Sequence, residues 1–504
     1  MIGFPEGPME DPLNIVPVSA RKDRICGKII EYGILALIIL SPLPAASVYD
    51  WSILAIQAVV FIMAAAYVLM DGRSGPNDLL SRSLKWPRLL SLGFCVFLVF
   101  QVLPLPVSLV KLLSPEAFAR KSPYAGGGSV WMTISVVPDR TLREGLLLLS
   151  CILLGFLIVR TMRHRFQILR MVSVLVGMGV FEALYGLLEL YDRSPHILFY
   201  RKSYNLDSVT GTFVNRNHLS GYLEMIIPLA IGMIISRMNL FSSSRLKLKE
   251  KALRFSEKNF LTNVALFLSV LVMGLGVVFS KSRSGVVIFV LIFLVFFGGT
   301  LLIRERLGYH KRAIVTSLQA LFILILGISL YVGINATLTR FAMDKFLREQ
   351  RPAFWAETLR QFSRFPLFGT GLGTFPSVYP GSEENGVLMH IYHAHNDYLE
   401  YLSELGILGS LLLFSAVFSM LFVAFRTWRK RRHPEVRGLA LGGFLSVLAI
   451  LLHSLTDFNM KIPANLLLFS VVLSLTAAIV NSKREAGVDR RQQGRLTGGN
   501  GRQA

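Results

Sequence analysis

Three histidines, His390, His393 and His395, stand close together just before a long apolar stretch of the chain. Imidazole changes charge near neutral pH, so it can act as a general base, bind a metal ion or form hydrogen bonds. Ionisable side chains at a membrane boundary are costly to bury and usually mark a functional site. The histidine segment is therefore the first candidate site.

Three hypotheses compete for these histidines. A metal site is one, since Asp397 is near, but the chain has no zinc spacing of two His on one helix with a Glu base. A structural role, with the rings bonded to loop carbonyls, is the second. The third is a general base, in which neutral imidazole accepts a proton from an attacking hydroxyl. For that role His395 is favoured over His393, because it directly adjoins the helix that would fix its orientation.

Two arginines are candidates for binding an anion on the same side of the membrane. Arg283 lies in a five-residue polar link, 280–284, between two apolar runs, so it must sit at or just below the membrane surface. Arg216 lies at the outer end of another apolar run. A planar guanidinium among hydroxyls suits phosphate or diphosphate oxygens. For each arginine taken alone, the alternative is snorkelling to the interface.

Membrane helices must position these residues. The chain of 504 residues is 53% hydrophobic and 17% charged, whereas soluble domains have about 25% charged residues. Apolar runs of about 17–25 residues recur along it. We predict an all-α polytopic integral membrane protein with about twelve transmembrane helices. The expected spans lie near 29–48, 52–70, 89–113, 142–159, 167–190, 218–236, 261–279, 285–303, 313–333, 398–425, 438–456 and 464–481.

These spans divide the chain into five parts. An N-terminal tail, 1–28, precedes spans one to nine in 29–333. A long outer loop, 334–397, carries the histidines and is expected to contain short helices. Spans ten to twelve follow in 398–481, and a basic tail occupies 482–504.

The formal net charge of +22 is spread over short loops beside the spans. Basic residues follow every even-numbered expected span and recur in the C-terminal tail. The positive-inside rule places these loops and both termini in the cytoplasm. Nucleic-acid binding is not expected, because it would gather the charge into one domain. The three cysteines form neither a disulfide framework nor a metal-ligand spacing.

The long outer loop has local patterns of its own. Four apolar side chains at helical spacing, with Pro352 in the first turn, predict an amphipathic helix: Phe354, Trp355, Leu359 and Phe362. The glycine run at 369–373 then forms either a tight turn or a backbone nest for a phosphate.

Polar residues also mark the helix after the histidines and the last outer turn. One face of that helix is polar, through Asp397, Glu400, Tyr401 and Glu404. Below it, Gly406 and Gly409 allow another helix to approach closely. In the last outer turn, Asp457 pairs with Lys461 or with an arginine, or simply forms part of the turn.

Four segments of the chain resemble the O-antigen ligase and polymerase superfamily of glycan-transferring membrane proteins. They are 211–222, 282–285, 365–375, and His395-Asn396 followed nine residues later by Gly406-Ile-Leu-Gly409. The family's ligases have Gly, Thr or Tyr after this last motif, where the chain has Ser410. The resemblance spans residues 180–470, and the first 170 residues match only in their pattern of spans.

The resemblance implies a GT-C-like transferase of the bacterial inner membrane that needs neither metal nor cofactor and works at the periplasmic face. It would move a glycan from an undecaprenyl-diphosphate carrier to a sugar hydroxyl of lipid A-core or another glycan acceptor, among membrane lipids. His395 would be the base and Arg283 the diphosphate clamp. The other expected substrate-binding residues are Arg216, Asn396, Asp397 and His393.

Two alternative functions stay open. A polymerase of O-antigen or exopolysaccharide would use the same donor, although the spacing from His395 to Gly406 favours a ligase. A transporter of lipid-linked glycans would show inverted repeats and charges at the membrane midplane. The chain has no internal repeat, and its polar chemistry gathers at one face, which favours catalysis.

Overall fold

A computed structural model describes residues 18–71, 82–124, 130–193, 196–198, 200–202, 204–237, 257–304, 351–379, 391–431 and 433–481, with six isolated positions between 316 and 327. In this part of the chain, nine helices are long and apolar enough to cross a membrane. The prediction of an all-α polytopic membrane protein is confirmed. The predicted span 313–333 falls almost wholly outside the described residues, and so does His390.

The described elements are mainly long helices. They run α1 Val18–Leu40, α2 Asp50–Leu69, α3 Lys85–Val102, α4 Val107–Leu113, α5 Pro115–Lys121, α6 Pro138–Thr161, α7 Arg165–Asp192, α8 Arg216–Arg237, α9 Glu257–Phe279, α10 Arg283–Arg304, α11 Arg351–Arg364, α12 Phe375–Val378, α13 Asp397–Lys430, α14 Pro434–His453 and α15 Pro463–Asn481. A 3₁₀ turn, Asn459–Lys461, joins the last two helices.

Two antiparallel strand pairs, each only two residues long, lie in the connections between helices. β1, Leu105–Pro106, pairs with β2, Trp131–Met132. β3, His196–Ile197, pairs with β4, Tyr200–Arg201.

Prolines end two of the helices earlier than the expected spans. α3 ends at Val102 rather than continuing to 113, because proline cannot donate a helical hydrogen bond and restricts the residue before it. Leu103, just before Pro104, is extended, with φ −66° and ψ 129°. Similarly, α1 begins inside the predicted N-terminal tail and ends at Leu40, before Pro42 and Pro44.

α8 is the centre of the bundle, with its whole apolar stretch buried. It packs against α14 almost backbone to backbone. A Cβ on Gly438 would lie 2.6 Å from the Gly232 carbonyl oxygen, and one on Gly442 would lie 2.6 Å from that of Pro228. Small residues allow such close approach between membrane helices. This contact holds the start of α8 beside the turn that follows α14, where the candidate site lies.

α13 is interrupted at Gly406, whose φ of 63° and ψ of −172° are not helical. The glycine run of the outer loop packs into this break. The Ile407 N–H donates to the Pro366 carbonyl at 2.8 Å. A Cβ on Gly369 would lie 2.3 Å from the Glu404 carbonyl carbon, and one on Gly406 would lie 2.4 Å from that of Leu367. Both positions therefore need glycine, for space and for positive φ.

The backbone N–H groups of the glycine run are bonded inside the protein. Gly369 donates to Phe365, Thr370 to Ser403 and Gly371 to Glu404, at 2.9–3.1 Å. Leu372 donates to the side-chain oxygen of Gln101 at 3.2 Å. The tight-turn interpretation is confirmed, since these donors are already used and do not form a phosphate nest.

Candidate active site

His393 and His395 lie on a short non-helical segment, residues 391–396, that leads into α13. Asn396 caps this helix, because its side-chain oxygen accepts from the Leu399 N–H at 3.1 Å. Its Nδ2 donates to the Leu455 carbonyl at 2.9 Å, which joins the segment to the turn between α14 and α15. His395 has a φ of 52°, a left-handed conformation that strains a residue with a side chain. Such strain is common where a side chain must point in a functional direction.

The side chain of His395 faces Asp457. Its Nδ1 lies 3.3 Å from Asp457 Oδ1, and its side chain is 31% exposed while that of Asp457 is completely buried. The other Asp457 oxygen accepts a hydrogen bond of 2.5 Å from Asn217 Nδ2. A guanidinium nitrogen of Arg351 lies 3.8 Å from the same oxygen. A buried carboxylate thus supports an accessible imidazole.

The charge of Asp457 decides how His395 is protonated. Burial raises the pKa of Asp457, but the His395 hydrogen bond and basic neighbours, Arg351 among them, outweigh it and hold the pKa well below its usual range. An ionised carboxylate can only accept hydrogen bonds. The proton of neutral His395 therefore sits on Nδ1, and Nε2 keeps the lone pair. This arrangement suits an imidazole that accepts a proton from a hydroxyl.

His393 has a separate carboxylate partner. Its Nδ1 lies 3.0 Å from Glu400 Oε1, and the other Glu400 oxygen accepts from the Ala394 N–H at 2.8 Å. The His393 ring stacks on Phe458, with centroids 4.2 Å apart and planes at 17°. Phe458 also meets the His395 ring edge to face at 4.8 Å. One aromatic side chain thus sets the positions of both imidazoles.

Lys461 neutralises the acidic face of α13. Its Nζ lies 2.5 Å from Glu404 Oε2 and 3.4 Å from Glu400 Oε1. Burial lowers the pKa of Lys461, but Glu404 and Glu400 together raise it well above its usual value, so the lysine is charged. The sequence left open whether Asp457 pairs with Lys461 or with an arginine. Asp457 faces Arg351, and Lys461 instead pairs with Glu404 and Glu400.

Both predicted anion-binding arginines lie at helix starts beside the turn that carries Asp457. Arg216 begins α8, and its neighbour Asn217 is the residue that donates to Asp457. Arg283 begins α10. Its neighbour Ser284 accepts a hydrogen bond of 2.8 Å from the hydroxyl of Thr456. The structure thus gathers elements that the sequence places far apart.

The family model for O-antigen ligase matches residues 268–414. This part of the chain is similar to the O-antigen ligase family. The matched residues include Arg283, α11, the glycine run and His395, while Arg216 and Asp457 lie outside them. A search of curated proteins finds no match to the chain. The match supports glycosyl transfer of the O-antigen ligase or polymerase type as the general activity.

Two of the predicted substrate-binding residues make contacts within the fold. Asn396 is 8% exposed and is held by its cap and by Leu455. Asp397 is 2% exposed, and its Oδ2 accepts from the Met460 N–H at 3.1 Å. These contacts position the start of α13. That either residue also touches substrate stays a prediction.

α11 forms one side of the site. The predicted helix is confirmed as Arg351–Arg364, but its buried stripe differs from the apolar pattern. Leu359 is 47% exposed, whereas Glu357 and Gln361 are buried with Phe354. The Phe354 ring lies 6.4 Å from that of His395, and Arg351 donates to the Thr456 carbonyl at 2.8 Å. The first turn of α11 thus contacts both halves of the histidine–aspartate pair.

Buried polar atoms on α11 have no partner within the described part of the chain. They are the amide nitrogen and oxygen of the Gln361 side chain and the indole nitrogen of Trp355. Buried polar groups are nearly always hydrogen-bonded, so such atoms point to a missing water or ligand. Sequence patterns could not single out Gln361, because a glutamine that follows an arginine in an amphipathic helix is expected on the exposed face.

A second buried ionisable pair, His453 and Glu224, supports the elements that carry the site. His453 Nδ1 lies 3.0 Å from Glu224 Oε2, and both side chains are no more than 1% exposed. Ser220 donates to the other Glu224 oxygen at 3.0 Å. A Cβ on Gly285 would lie 1.9 Å from the Ser220 hydroxyl oxygen, so α10 starts in close contact with α8. This packing holds Arg283 near the Asp457 turn.

The carboxylates near the histidines form pairs rather than a converging cluster. Asp457 pairs with His395, and Glu400 pairs with His393. Within the residues that the structure describes, no group of three or more His, Cys, Asp or Glu side chains is placed to hold a metal ion.

Proposed function

We propose that the protein is an O-antigen ligase, which transfers a glycan from an undecaprenyl-diphosphate carrier to a sugar hydroxyl of lipid A-core. The observation that carries the proposal is the pairing of exposed His395 with buried, ionised Asp457. This pairing leaves His395 Nε2 able to accept a proton. The site is bordered by residues that adjoin Arg216 and Arg283 in the sequence. Basic loops after the even-numbered spans favour a periplasmic site, with both termini in the cytoplasm of an inner-membrane protein.

In the proposed reaction, His395 Nε2 accepts the proton of the acceptor hydroxyl. The hydroxyl oxygen forms a bond to the anomeric carbon of the donor sugar, and the bond from that carbon to the diphosphate oxygen breaks. The carrier leaves as its diphosphate with the electron pair of the broken bond. Asp457 stabilises the imidazolium formed, and solvent later removes its proton. No nucleotide, cofactor or metal ion takes part in this scheme.

Arg283 and Arg216 are assigned to the diphosphate. Charge develops on the leaving oxygen as the glycosidic bond breaks, and positioned positive groups stabilise it more than they stabilise the ground state. A guanidinium presents paired N–H donors that match two phosphate oxygens. Their placement at the starts of α10 and α8 adds helix N-termini, which also favour anions.

We assign the acceptor to the side of the site formed by α11. Phe354 lies next to the His395 ring, and Gln361 is two turns farther along the same face. An aromatic ring, an indole N–H and an amide are groups that sugars use for stacking and hydrogen bonds. The unpartnered atoms of Trp355 and Gln361 give this assignment its support. His393 would contact the same sugar or the donor.

The lipid-linked and surface glycans of cells that lack this gene would test the activity. Full-length chains stranded on the carrier, with bare lipid A-core, are expected for a ligase. Lipid A-core bearing a single repeat would instead identify a polymerase with the same donor. Normal surface glycan and carrier pools would contradict glycan transfer altogether. Rescue with His433→Ala, at an exposed histidine outside the site, provides a matched control for variants of His395.

A further inference from the structure

A cluster of buried charged side chains adjoins His393. Glu400 and Glu404, one turn apart on α13, are both no more than 1% exposed. Lys461 Nζ contacts both carboxylates, and its side chain is buried. His393 Nδ1 also contacts Glu400, and its side chain is 26% exposed. The cluster therefore reaches the accessible part of the candidate site through the His393 ring.

Both carboxylates of the cluster are ionised, because each of their four oxygens meets a donor. Glu400 Oε1 faces His393 and Lys461, and Oε2 accepts from a backbone N–H at 2.8 Å. Glu404 Oε2 faces Lys461, and Oε1 accepts from another backbone N–H at 3.1 Å. A protonated carboxyl would turn its own hydrogen toward one of these donors. The two glutamates therefore carry two negative charges.

One lysine cannot balance two carboxylates. Within the described part of the chain, Lys461 and His393 are the basic side chains that contact them. A buried charge without a counter-charge is costly, so buried charges are normally paired. A neutral His393 would leave the cluster with one negative charge in excess. A positively charged His393 makes the cluster neutral.

His395 differs from His393, although its Nδ1 also faces a buried carboxylate. Asp457 has another counter-charge, because a guanidinium nitrogen of Arg351 lies 3.8 Å from it. A neutral His395 therefore leaves this pair balanced, and a proton acceptor must be neutral. The two carboxylate environments thus favour different charge states for the two imidazoles.

The ring of Phe458 also favours a positive charge on His393. The two rings are nearly parallel, at 17°, with centroids 4.2 Å apart. The face of an aromatic ring attracts a cation that lies within about 6 Å of its centroid. Phe458 also contacts the ring of His218, in the first turn of α8, which begins at Arg216. One aromatic ring thus joins His393 to the helix start that we assign to the diphosphate.

We propose that His393 is a positively charged imidazole that binds the diphosphate of the donor together with Arg216 and Arg283. This inference rests on the proposed function and narrows the role of His393 in it. Nδ1 donates to Glu400, and Nε2 is left to donate to a phosphate oxygen. His393 therefore contacts the donor rather than the acceptor sugar, and it takes no proton from the attacking hydroxyl.

Binding of the lipid carrier to the purified full-length protein tests the proposal without a transfer assay. Native mass spectrometry compares undecaprenyl diphosphate with undecaprenol, which has the same chain and no charge. We expect the wild type to prefer the diphosphate. His393→Gln should reduce this preference about tenfold, the scale of one hydrogen bond to a charged group. His393→Arg, which restores a charge, should keep most of it. His433→Gln, at an exposed histidine outside the site, should equal wild type.

Glu400→Gln separates this charge role from general electrostatics. The variant removes a negative charge, so a simple field effect would tighten the binding of the diphosphate. The proposal predicts weaker binding, because Lys461 and Glu404 then balance each other and His393 is no longer held positive. Glu400→Gln/His393→Gln should lose no more than His393→Gln. The control is Glu116→Gln, at a partly exposed glutamate in an ion pair of its own, and it should bind as wild type.

The outcomes distinguish this inference from the proposed function. A wild-type protein that binds the two lipids equally would contradict the assigned donor and this inference together. A wild-type preference that His393→Gln keeps in full would overturn this inference alone, and so would tighter diphosphate binding by Glu400→Gln. If Glu400→Gln melts at a much lower temperature, His393→Gln decides, because that side chain is partly exposed and its replacement keeps a hydrogen-bond donor.

Discussion

His395 Nδ1 lies 3.3 Å from Asp457 Oδ1, although 62 residues separate them in the sequence. The first stands before α13 and the second follows α14, so the pair joins two helix ends at one membrane face. Asp457 also accepts from Asn217 at the start of α8. The carboxylate is therefore the point at which three elements of the site meet.

Asp457→Asn should strongly reduce glycan transfer. The amide has the size of the carboxylate but lacks its charge, and it can donate to His395 Nδ1, which would move the imidazole proton to Nε2. We expect kcat to fall by about 100- to 10,000-fold, the range of general acid–base catalysis. The rate of glycan transfer by the purified protein from a lipid-linked donor measures this fall in kcat. The control is Asp207→Asn, at an exposed aspartate that pairs with Lys281. Activity of Asp457→Asn within twofold of wild type would refute the role.

The low pKa of Asp457 predicts how stability depends on pH. A carboxylate whose pKa is lower in the folded than in the unfolded state stabilises the fold fully above its unfolded pKa, about 3.9. That stabilisation declines as pH falls toward the folded value. The difference in melting temperature between wild type and Asp457→Asn should therefore be constant above about pH 5 and narrow below about pH 4. A difference that widens on acidification would contradict the charge assigned to Asp457.

Arg283→Lys should lose most of the activity although it keeps the positive charge. An ammonium cannot reproduce the planar pair of N–H donors that fits a diphosphate. We expect kcat/KM to fall by about 100-fold, the scale for losing one donor that stabilises transition-state charge. Arg143→Lys, at an exposed arginine paired with Asp139, should match wild type. Equal activity of the two variants would remove Arg283 from the site.

Chelation should leave the activity unchanged. The proposed base and diphosphate clamp are side chains, so purified protein treated with EDTA is expected to transfer glycan at the untreated rate. The same sample after addition of zinc or magnesium serves as the comparison. Loss of activity on chelation, restored by one of these ions, would show that a metal takes part.

Gln361→Met should separate substrate binding from folding. A buried amide without a partner costs about 1–3 kcal/mol, and methionine of similar length removes that cost. The melting temperature should hold or rise, while KM for the acceptor should increase if the amide bonds the acceptor sugar. A lower melting temperature with unchanged KM would show instead that the glutamine serves the fold.

Local patterns in the sequence predicted the helices and the histidine segment, because apolar runs and residue types are local features. They missed the ends of α1 and α3, since an apolar run can continue through the prolines that end the helix. They also placed Leu359 on the buried face of α11, where Gln361 lies instead. The partner of Asp457 could not be predicted, because it depends on the packing of α8, α11, α13 and α14. Only the folded chain shows that Lys461 is held by Glu404 and Glu400.

Glycan transfer by purified His395→Ala, measured beside His393→Ala and His433→Ala, tests directly whether His395 is the base. We expect His395→Ala to lose about 100- to 10,000-fold in kcat, His393→Ala to lose less and mainly through KM, and His433→Ala to equal wild type. If His395→Ala transfers glycan at the wild-type rate, His395 is not the base and the proposed mechanism is wrong.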